Sequence, residues 1–427
     1  MINLDIQTKI DKSTELLDEA RTFFEASNYD ESERCASEVL ALIEPFAERD
    51  DLGEELDKTS QIYMIIELLA HAYNRLQTIS SARLDYVLEL KHADTALKYC
   101  ERIGNLRRKA DLLSNIGNMY RNLSDYAKAL EYFQLSLSIN EEISSKSGIA
   151  NNLGKIGQVY SNLSDYAKAL EYMQNALAIY EELGNKDGIA NNLGSIGGVY
   201  AELSDYPNSL EYMQKALAIY EEIGSRSGIA VNLGNIGIVY QRLSDSANAL
   251  EYMQKALAIF EELEKKDGIA NSLGNIGLLY QYLSEYAKAL EYMQKALALY
   301  EELGSKSGIA RNLDNIGSTY AKPDFDGYDP AKAEEFLLKA IAIAEDIGMK
   351  QSLYEFHKNL ADLYKLEKRW EDCQIHFEKY RRRKRSPKRG SQGKCQPHGA
   401  APSKPPSVKK LSLSSEQKPP PRAMFST

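Results

Sequence analysis

The sequence predicts an all-α solenoid built from tandem antiparallel helix pairs, and three observations carry that expectation. The chain of 427 residues holds 28 Tyr against 10 Phe and a single Trp, an excess that points to one unit copied many times. Tyr120, Tyr160, Tyr200, Tyr240, Tyr280 and Tyr320 recur every 40 residues. The copied text is rich in Ala, Leu, Glu, Lys and Gln, which favour helix. It holds little of the Val and Thr that the strands of a propeller blade with a similar period would need.

Within one unit the apolar residues mark two helices. Ile149, Leu153, Ile156, Tyr160 and Leu163 step at helical period along the first, and Tyr166, Leu170, Met173, Leu177, Tyr180 and Leu183 along the second. Ser147, Asp187, Ser227, Asp267 and Ser307 read as N-caps of the first helix, and Ser164-Asp165 with its copies opens the second. Gly184, Gly224 and Gly304 read as C′ residues that end the second helix, with Glu264 the exception. Less regular pairs flank the array, at 8–26 with 29–48, 56–78 with 82–103, and 350–366 with 369–380. The expected divisions are thus 1–107 with two pairs, 108–347 with six repeats, a capping pair at 348–380, and a tail at 381–427. Within KPDFDGYDP an insertion of four residues shifts the phase from 40 to 44.

The tail stands apart in composition. It carries thirteen basic residues and one acidic, which leaves a net charge of −22 on residues 1–380, and eight of the chain's 12 prolines. Such a segment buries too little apolar surface to offset its ordering entropy, so it reads as disordered. RRRKRSPKR could touch nucleic acid, which the acidic body argues against, and a reading-frame change near Tyr380 is the third reading.

Several function classes drop out. The longest apolar stretch, Ile62 to Ala70, is broken by Glu67 and is far short of the ~18 residues of a membrane span. The opening MINLDIQTKIDKS has no apolar core of a signal peptide. Cysteines at 35, 100, 373 and 395 form no CxxC, in keeping with a reducing cytoplasm. No phosphate-binding loop, nucleophile elbow or HExxH occurs. Cys373, His376 and His357 could be placed together, but Cys373 aligns with Ala169 and reads as a small core residue. The paired glutamates repeat as solvated faces, so no acid–base group stands out. The expectation is a chain that is no enzyme, with no cofactor and no metal.

The motif Leu153-x2-Ile156-Gly157-x2-Tyr160, followed by Ala169-x3-Met173-x2-Ala176, resembles the tetratricopeptide repeat. Leu replaces the usual Trp, Met often replaces the second-helix aromatic, and the closing Pro is absent. The long unit is similar to repeats of Pins-type proteins and kinesin light chains, and to the arrays before cyclase or histidine-kinase domains in bacterial signalling proteins. The resemblance implies a right-handed superhelix with first helices on its concave wall. It also implies a protein-interaction scaffold, or else the regulatory arm of a signalling enzyme whose output domain is not in this chain.

On a helical wheel the residues opposite the core face form a stripe. Its rungs are Asp111, Asn115, Asn118, Asn122; Asn151, Lys155, Gln158, Asn162; and Asn191, Ser195, Gly198, Glu202. They continue as Val231, Asn235, Ile238, Arg242; Asn271, Asn275, Leu278, Tyr282; and Arg311, Asn315, Ser318, Lys322. Ten of these 24 positions are Asn, a mediocre helix former, which marks the stripe as a peptide-binding surface whose amides would match an extended main chain. Asn115, Asn235, Asn275 and Asn315 resemble the asparagine ladder of sugar-transferase repeat arms, and Lys155 and Ser195 depart from it. The opposing reading is an accidental Asn multiplied by copying. The expected partner is therefore a protein or peptide, with no membrane. Gly154, Gly194, Gly234 and Gly274 border the stripe, where close packing of the neighbouring repeat is the expected reason for them and close approach of a ligand the alternative.

Overall fold

The computed structural model describes residues 4–26, 28–47, 61–83 and 86–381. The tail expected at 381–427 lies outside the described residues except for Arg381, which closes the last helix. Among the described residues eighteen helices follow one another. They are α1 (Leu4–Glu25), α2 (Tyr29–Ala47), α3 (Gln61–Arg83), α4 (Tyr86–Arg102), α5 (Leu106–Asn122) and α6 (Tyr126–Glu142). Then come α7 (Lys146–Asn162), α8 (Tyr166–Glu182), α9 (Lys186–Glu202), α10 (Tyr206–Glu222), α11 (Arg226–Arg242) and α12 (Ser246–Glu262). The last six are α13 (Lys266–Tyr282), α14 (Tyr286–Glu302), α15 (Lys306–Tyr320), α16 (Pro330–Asp346), α17 (Lys350–Leu366) and α18 (Trp370–Arg381). Among the described residues there is no strand.

The turns explain the tight spacing. After α7, Leu163 closes the helix, Ser164 adopts φ +60°, and the Asp165 N–H returns to the Tyr160 carbonyl at 2.9 Å. The same Asp165 then caps α8, its carboxylate accepting from the Lys168 N–H. One residue ends one helix and begins the next. Gly184, Gly224 and Gly304 hold positive φ in the alternate turns, and Glu264 does so at φ 53°.

This economy corrects one expectation. Ser147, Asp187, Ser227, Asp267 and Ser307 lie inside their helices, and the capping position is two residues earlier, at Ser145, Asn185, Ser225, Lys265 and Ser305. The residue that completes the preceding C-terminal turn is already the next N-cap, so no spare residues separate the helices. Ser145 and Asn185 accept from the N–H of Gly148 and Gly188.

Packing runs from neighbour to neighbour, as in a repeat array. Ala169 and Met173 of α8 bury against Ile196 and Val199 of α9, and the same cluster recurs along the chain. A Cβ on Gly157 would lie 2.8 Å from Met173 Cγ and 3.1 Å from the Ala169 carbonyl, so glycine sets the crossing distance of α7 and α8. The tyrosine excess has a structural use: Tyr160 stacks on Tyr172 with ring centroids 5.4 Å apart, and Tyr120–Tyr132, Tyr200–Tyr212, Tyr240–Tyr252 and Tyr280–Tyr292 do likewise. The four inserted residues let Phe325 wedge between Tyr286 and Tyr320, while Tyr286 Oη donates to Asp324 at 2.7 Å. Asp329 and Pro330 then restart α16 as N-cap and first residue.

Successive first helices (α5, α7, α9, α11, α13, α15) also pack on one another, whereas successive second helices have no comparable contact. The first helices therefore converge on the concave side. The right-handed superhelix closes one turn on itself. Ile347 and Met349 belong to one buried cluster with Ile116 and Met119 of α5, and Leu123 Cδ2 reaches within 3.5 Å of where a Gly348 Cβ would be.

Candidate functional site

The stripe faces the concave side as four rungs per first helix. The first rung (Asn151 and its copies) and the fourth (Asn162 and its copies, Lys322 excepted) are exposed, while the second and third are half-buried apart from the exposed Asn235. Hydrogen bonding divides these residues into two groups.

Asn191 donates to the Asp187 carbonyl at 2.9 Å, and its Oδ1 accepts from the Tyr220 hydroxyl at 2.8 Å. Asn271 repeats this with the Asp267 carbonyl and Tyr300. In the intervening repeat Val231 replaces the Asn and Phe260 replaces the Tyr, so donor and acceptor disappear together. Asn191 and Asn271 of the first rung thus have a role within the repeat. Asn115 is also engaged, its Nδ2 lying 3.3 Å from Gln77 Oε1 and 3.5 Å from Asn74 Oδ1 of α3. Asn118, Asn122, Asn151, Asn162, Asn235, Asn275 and Asn315 form no side-chain hydrogen bond among the described residues.

The charged rungs behave differently from one another. Arg242 pairs with Glu202 at 2.7 Å and donates to the Ala201 carbonyl, so these opposite charges compensate. Arg311 donates to Ser307 Oγ at 3.4 Å, and Tyr282, 56% exposed, lies 3.1 Å from Ser244 Oγ. Lys155 donates to Ser114 Oγ at 2.7 Å, and Gln158 accepts from Arg121. Burial, and then repulsion from Arg121, push the Lys155 ammonium down to about 8 against partial relief from Asp111. Burial lowers Arg121 as well and raises the Asp111 carboxyl.

The stripe alone does not reveal Arg121, one position before the fourth rung, nor a buried amide row beneath it. Asn152 donates to Ser136 Oγ at 3.0 Å and Asn232 to the Met213 carbonyl at 2.6 Å, each reaching back to the preceding repeat. The doubled Asn of Asn151-Asn152 and Asn191-Asn192 is a signal for this row, in which the second Asn of each pair is buried. The packing expected at Gly154, Gly194, Gly234 and Gly274 is not steric. A Cβ on Gly154 or Gly194 would come no closer than 3.6 Å to anything, one on Gly234 would stay 3.9 Å from Ala256 Cβ, and one on Gly274 would meet nothing within 4 Å.

At the far end, His357 Nδ1 and His376 Nδ1 lie 3.0 Å apart, while Cys373 packs on the core cluster. Among the described residues no three His, Cys, Asp or Glu side chains gather in a metal-binding arrangement. No helix among them is long and apolar enough to cross a membrane.

Residues 108–182, 148–222, 188–262, 228–302 and 268–346 each match the tetratricopeptide repeat family. The chain belongs to that family. The tetratricopeptide array extends over more than half of the sequence, and no curated protein matches the chain. Among solved structures, a Rap protein complexed with competence and sporulation factor is 15% identical, with 88% of this chain and 98% of that one covered and a TM-score of 0.58. The Rap conjugation gene regulator of plasmid pLS20 in complex with the Phr* peptide is 15% identical, with 81% and 97% covered and a TM-score of 0.55. Aspartyl phosphate phosphatase F from Bacillus subtilis is 16% identical, with 93% and 98% covered and a TM-score of 0.50. At these identities the likeness is one of fold.

Proposed function

We propose that the concave groove binds an extended peptide segment of a partner protein and that the chain acts as a non-catalytic scaffold in the cytoplasm. The observation that carries this reading is the set of groove amides with no internal partner, above all Asn235, Asn275 and Asn315 on three successive first helices. An amide can donate and accept at once, which matches the alternating groups of an extended backbone. Two structures of similar fold hold competence and sporulation factor or the Phr* peptide, by their own descriptions.

The test is a crosslinking pull-down from source lysate with the full chain and an Asn235→Ala, Asn275→Ala, Asn315→Ala triple variant. A partner captured by the parent and lost from a variant with unchanged helicity supports the groove. Equal recovery from both would move the function to the convex face.

A further inference from the structure

The first and last helix pairs finish the array in opposite ways. In an inner repeat one face of the second helix is covered by the first helix of the next pair. On α8 that face is Tyr166, Ala169 and Met173, and Ile196, Val199 and Tyr200 of α9 lie against it. Ser164 and Lys368 hold the same positive φ before α8 and α18. Counted from them, the matching places on α18 are Trp370, Cys373 and Phe377. Ala169 and Met173 are 0% and 1% exposed, whereas Trp370 and Phe377 are 62% and 44% exposed. Two large rings thus face solvent where the fold elsewhere lays a helix.

The N-terminal end is sealed. Asn28 accepts from the N–H three residues on, as Asp165 does, which aligns α1 with α7. Glu19 and Thr22 of α1, both exposed, then stand where α7 has the buried Ile156 and Val159. Such a polar outer face keeps the end of a repeat array soluble, and α18 lacks it. Even Ile375, 54% exposed, replaces the Glu that inner second helices carry at 171 and its copies.

Three observations point to the occupant. Residues 382–427 contain no Ile, Tyr or Trp, so they do not repeat the Ile-x2-Val-Tyr set that covers this face on α8. The polar face of α1 offers no apolar seat to α18 of another copy, which excludes head-to-tail stacking. Finally, α18 starts with Glu371 and Asp372 after its first residue and ends with Lys379 and Arg381, the head of a basic run. An antiparallel copy therefore sets acidic start against basic end and opposes the two helix dipoles.

We infer that the chain self-associates through α18, two copies packing antiparallel about a twofold axis with Trp370 of each against Phe377 of the other. Trp370, Gln374 and Phe377 share one side of the helix, and the axis passes beside Gln374. Ile375 lies about 140° round the helix from Trp370 and outside the contact. The contact uses the same face twice, so it closes at two copies. It involves none of the groove rungs and is independent of the groove's ligand.

Trp370 is the single tryptophan of the chain, so its emission reports on this face alone. The experiment follows the full chain by sedimentation velocity and tryptophan emission through one dilution series across the micromolar range. The expected result is a dimer with blue-shifted Trp370 emission that dissociates, with a shift to the red, on dilution. Phe377→Glu should raise the dissociation constant at least about thirtyfold, as loss of a central interface aromatic does. Ile375→Glu, which restores the residue of the sister repeats, should leave it unchanged. A crosslink keeps the test sharp should Phe377→Glu disturb α18. In a Cys395→Ser background, Gln374→Cys should give a disulfide-linked dimer on mild oxidation and Ile375→Cys should not, since the bond needs Cβ atoms roughly 4 Å apart. A monomer at every concentration overturns the proposal: blue emission would then assign the face to residues 382–427, and red emission would leave it open. A dimer whose Trp370 emission stays red, or that crosslinks equally through Ile375→Cys, overturns it as well, because the contact then lies elsewhere.

Discussion

Removing the bond between Asn191 and Tyr220 tests which groove amides serve the fold. The Tyr220 hydroxyl donates to Asn191 Oδ1 at 2.8 Å, and the ring is only 7% exposed. Burial is the main cause that pushes its phenol up to about 12. Water therefore serves that hydroxyl poorly once the amide is gone. Asn191→Val strands it and should cost about 1–3 kcal/mol, whereas Tyr220→Phe leaves an exposed amide that water can satisfy and should cost about 0.5–1.5 kcal/mol. The double variant recreates the Val231 and Phe260 pair that the array already contains. It should therefore be more stable than the sum of the singles predicts, by about 1 kcal/mol. Hydrogen exchange of α9 and α10 amides in the four proteins, with urea titrations alongside, measures the coupling locally, as a repeat array requires. Additivity within about 0.3 kcal/mol would refute a structural role for the first rung. Asn191 would then rejoin the amides available to a ligand.

Two further outcomes follow from the same geometry. Gly157→Ala drives a methyl into Met173 Cγ and the Ala169 carbonyl and should lower stability by about 1–3 kcal/mol. Gly154→Ala has no contact nearer than 3.6 Å and should raise it by about 0.5–1 kcal/mol through helix propensity, both read by thermal melts. The capping pair should respond to pH. Asp314, held by Asn359 at 2.8 Å, has its carboxyl pushed up to about 7, mainly by burial. Its folded state holds the proton more tightly, so its contribution is fully present below the ordinary carboxylate range and is lost as pH rises through 7. His357, pushed down to about 4 chiefly by burial, acts oppositely and loses stability as pH falls from 6.5 toward 4. Asp314→Asn should therefore stabilise α17 more at pH 8 than at pH 5, by about 3 kcal/mol, seen in exchange of its amides. A gain of equal size at both values would refute the assignment.

The repeat period, the helix faces and the groove stripe were legible because each follows from spacing alone. The capping register was not, since Ser147 and Ser145 are both acceptable caps in isolation and only the shared turn after Asn140 decides between them. Nor could spacing separate Asn191 from Asn235. Both lie on the stripe, and the difference is a tyrosine 29 residues away that folds back onto one of them. Arg121 escaped because it flanks the stripe. Its place in the groove depends on Gln158 in the next repeat, a contact between copies that a single-helix wheel does not represent.

The departures between copies bear on whether the groove is a working surface or an accident of duplication. The core position Ile116, Ile156, Ile196, Ile236, Ile276 and Ile316 is the same in six repeats, and so is the glycine that follows it. Packing explains that uniformity, since these residues set the helix crossing. Exposed positions are freer, and drift after copying should alter them wherever they lie. Yet the exposed Glu131, Glu171, Glu211, Glu251 and Glu291 of the second helices are identical. The third groove rung, two residues after the constant isoleucine, reads Asn118, Gln158, Gly198, Ile238, Leu278 and Ser318, six residue types in six repeats. These positions are half-buried, and although Ile238 and Leu278 pack on the edge of the core clusters, the residue type there is free to differ from repeat to repeat. Variation concentrated on the concave wall, with the convex glutamates unchanged, is what a surface fitted unit by unit to one asymmetric ligand requires. A chain of side chains that differs at every step presents a different contact in each repeat, and only the scaffold beneath it needs to repeat.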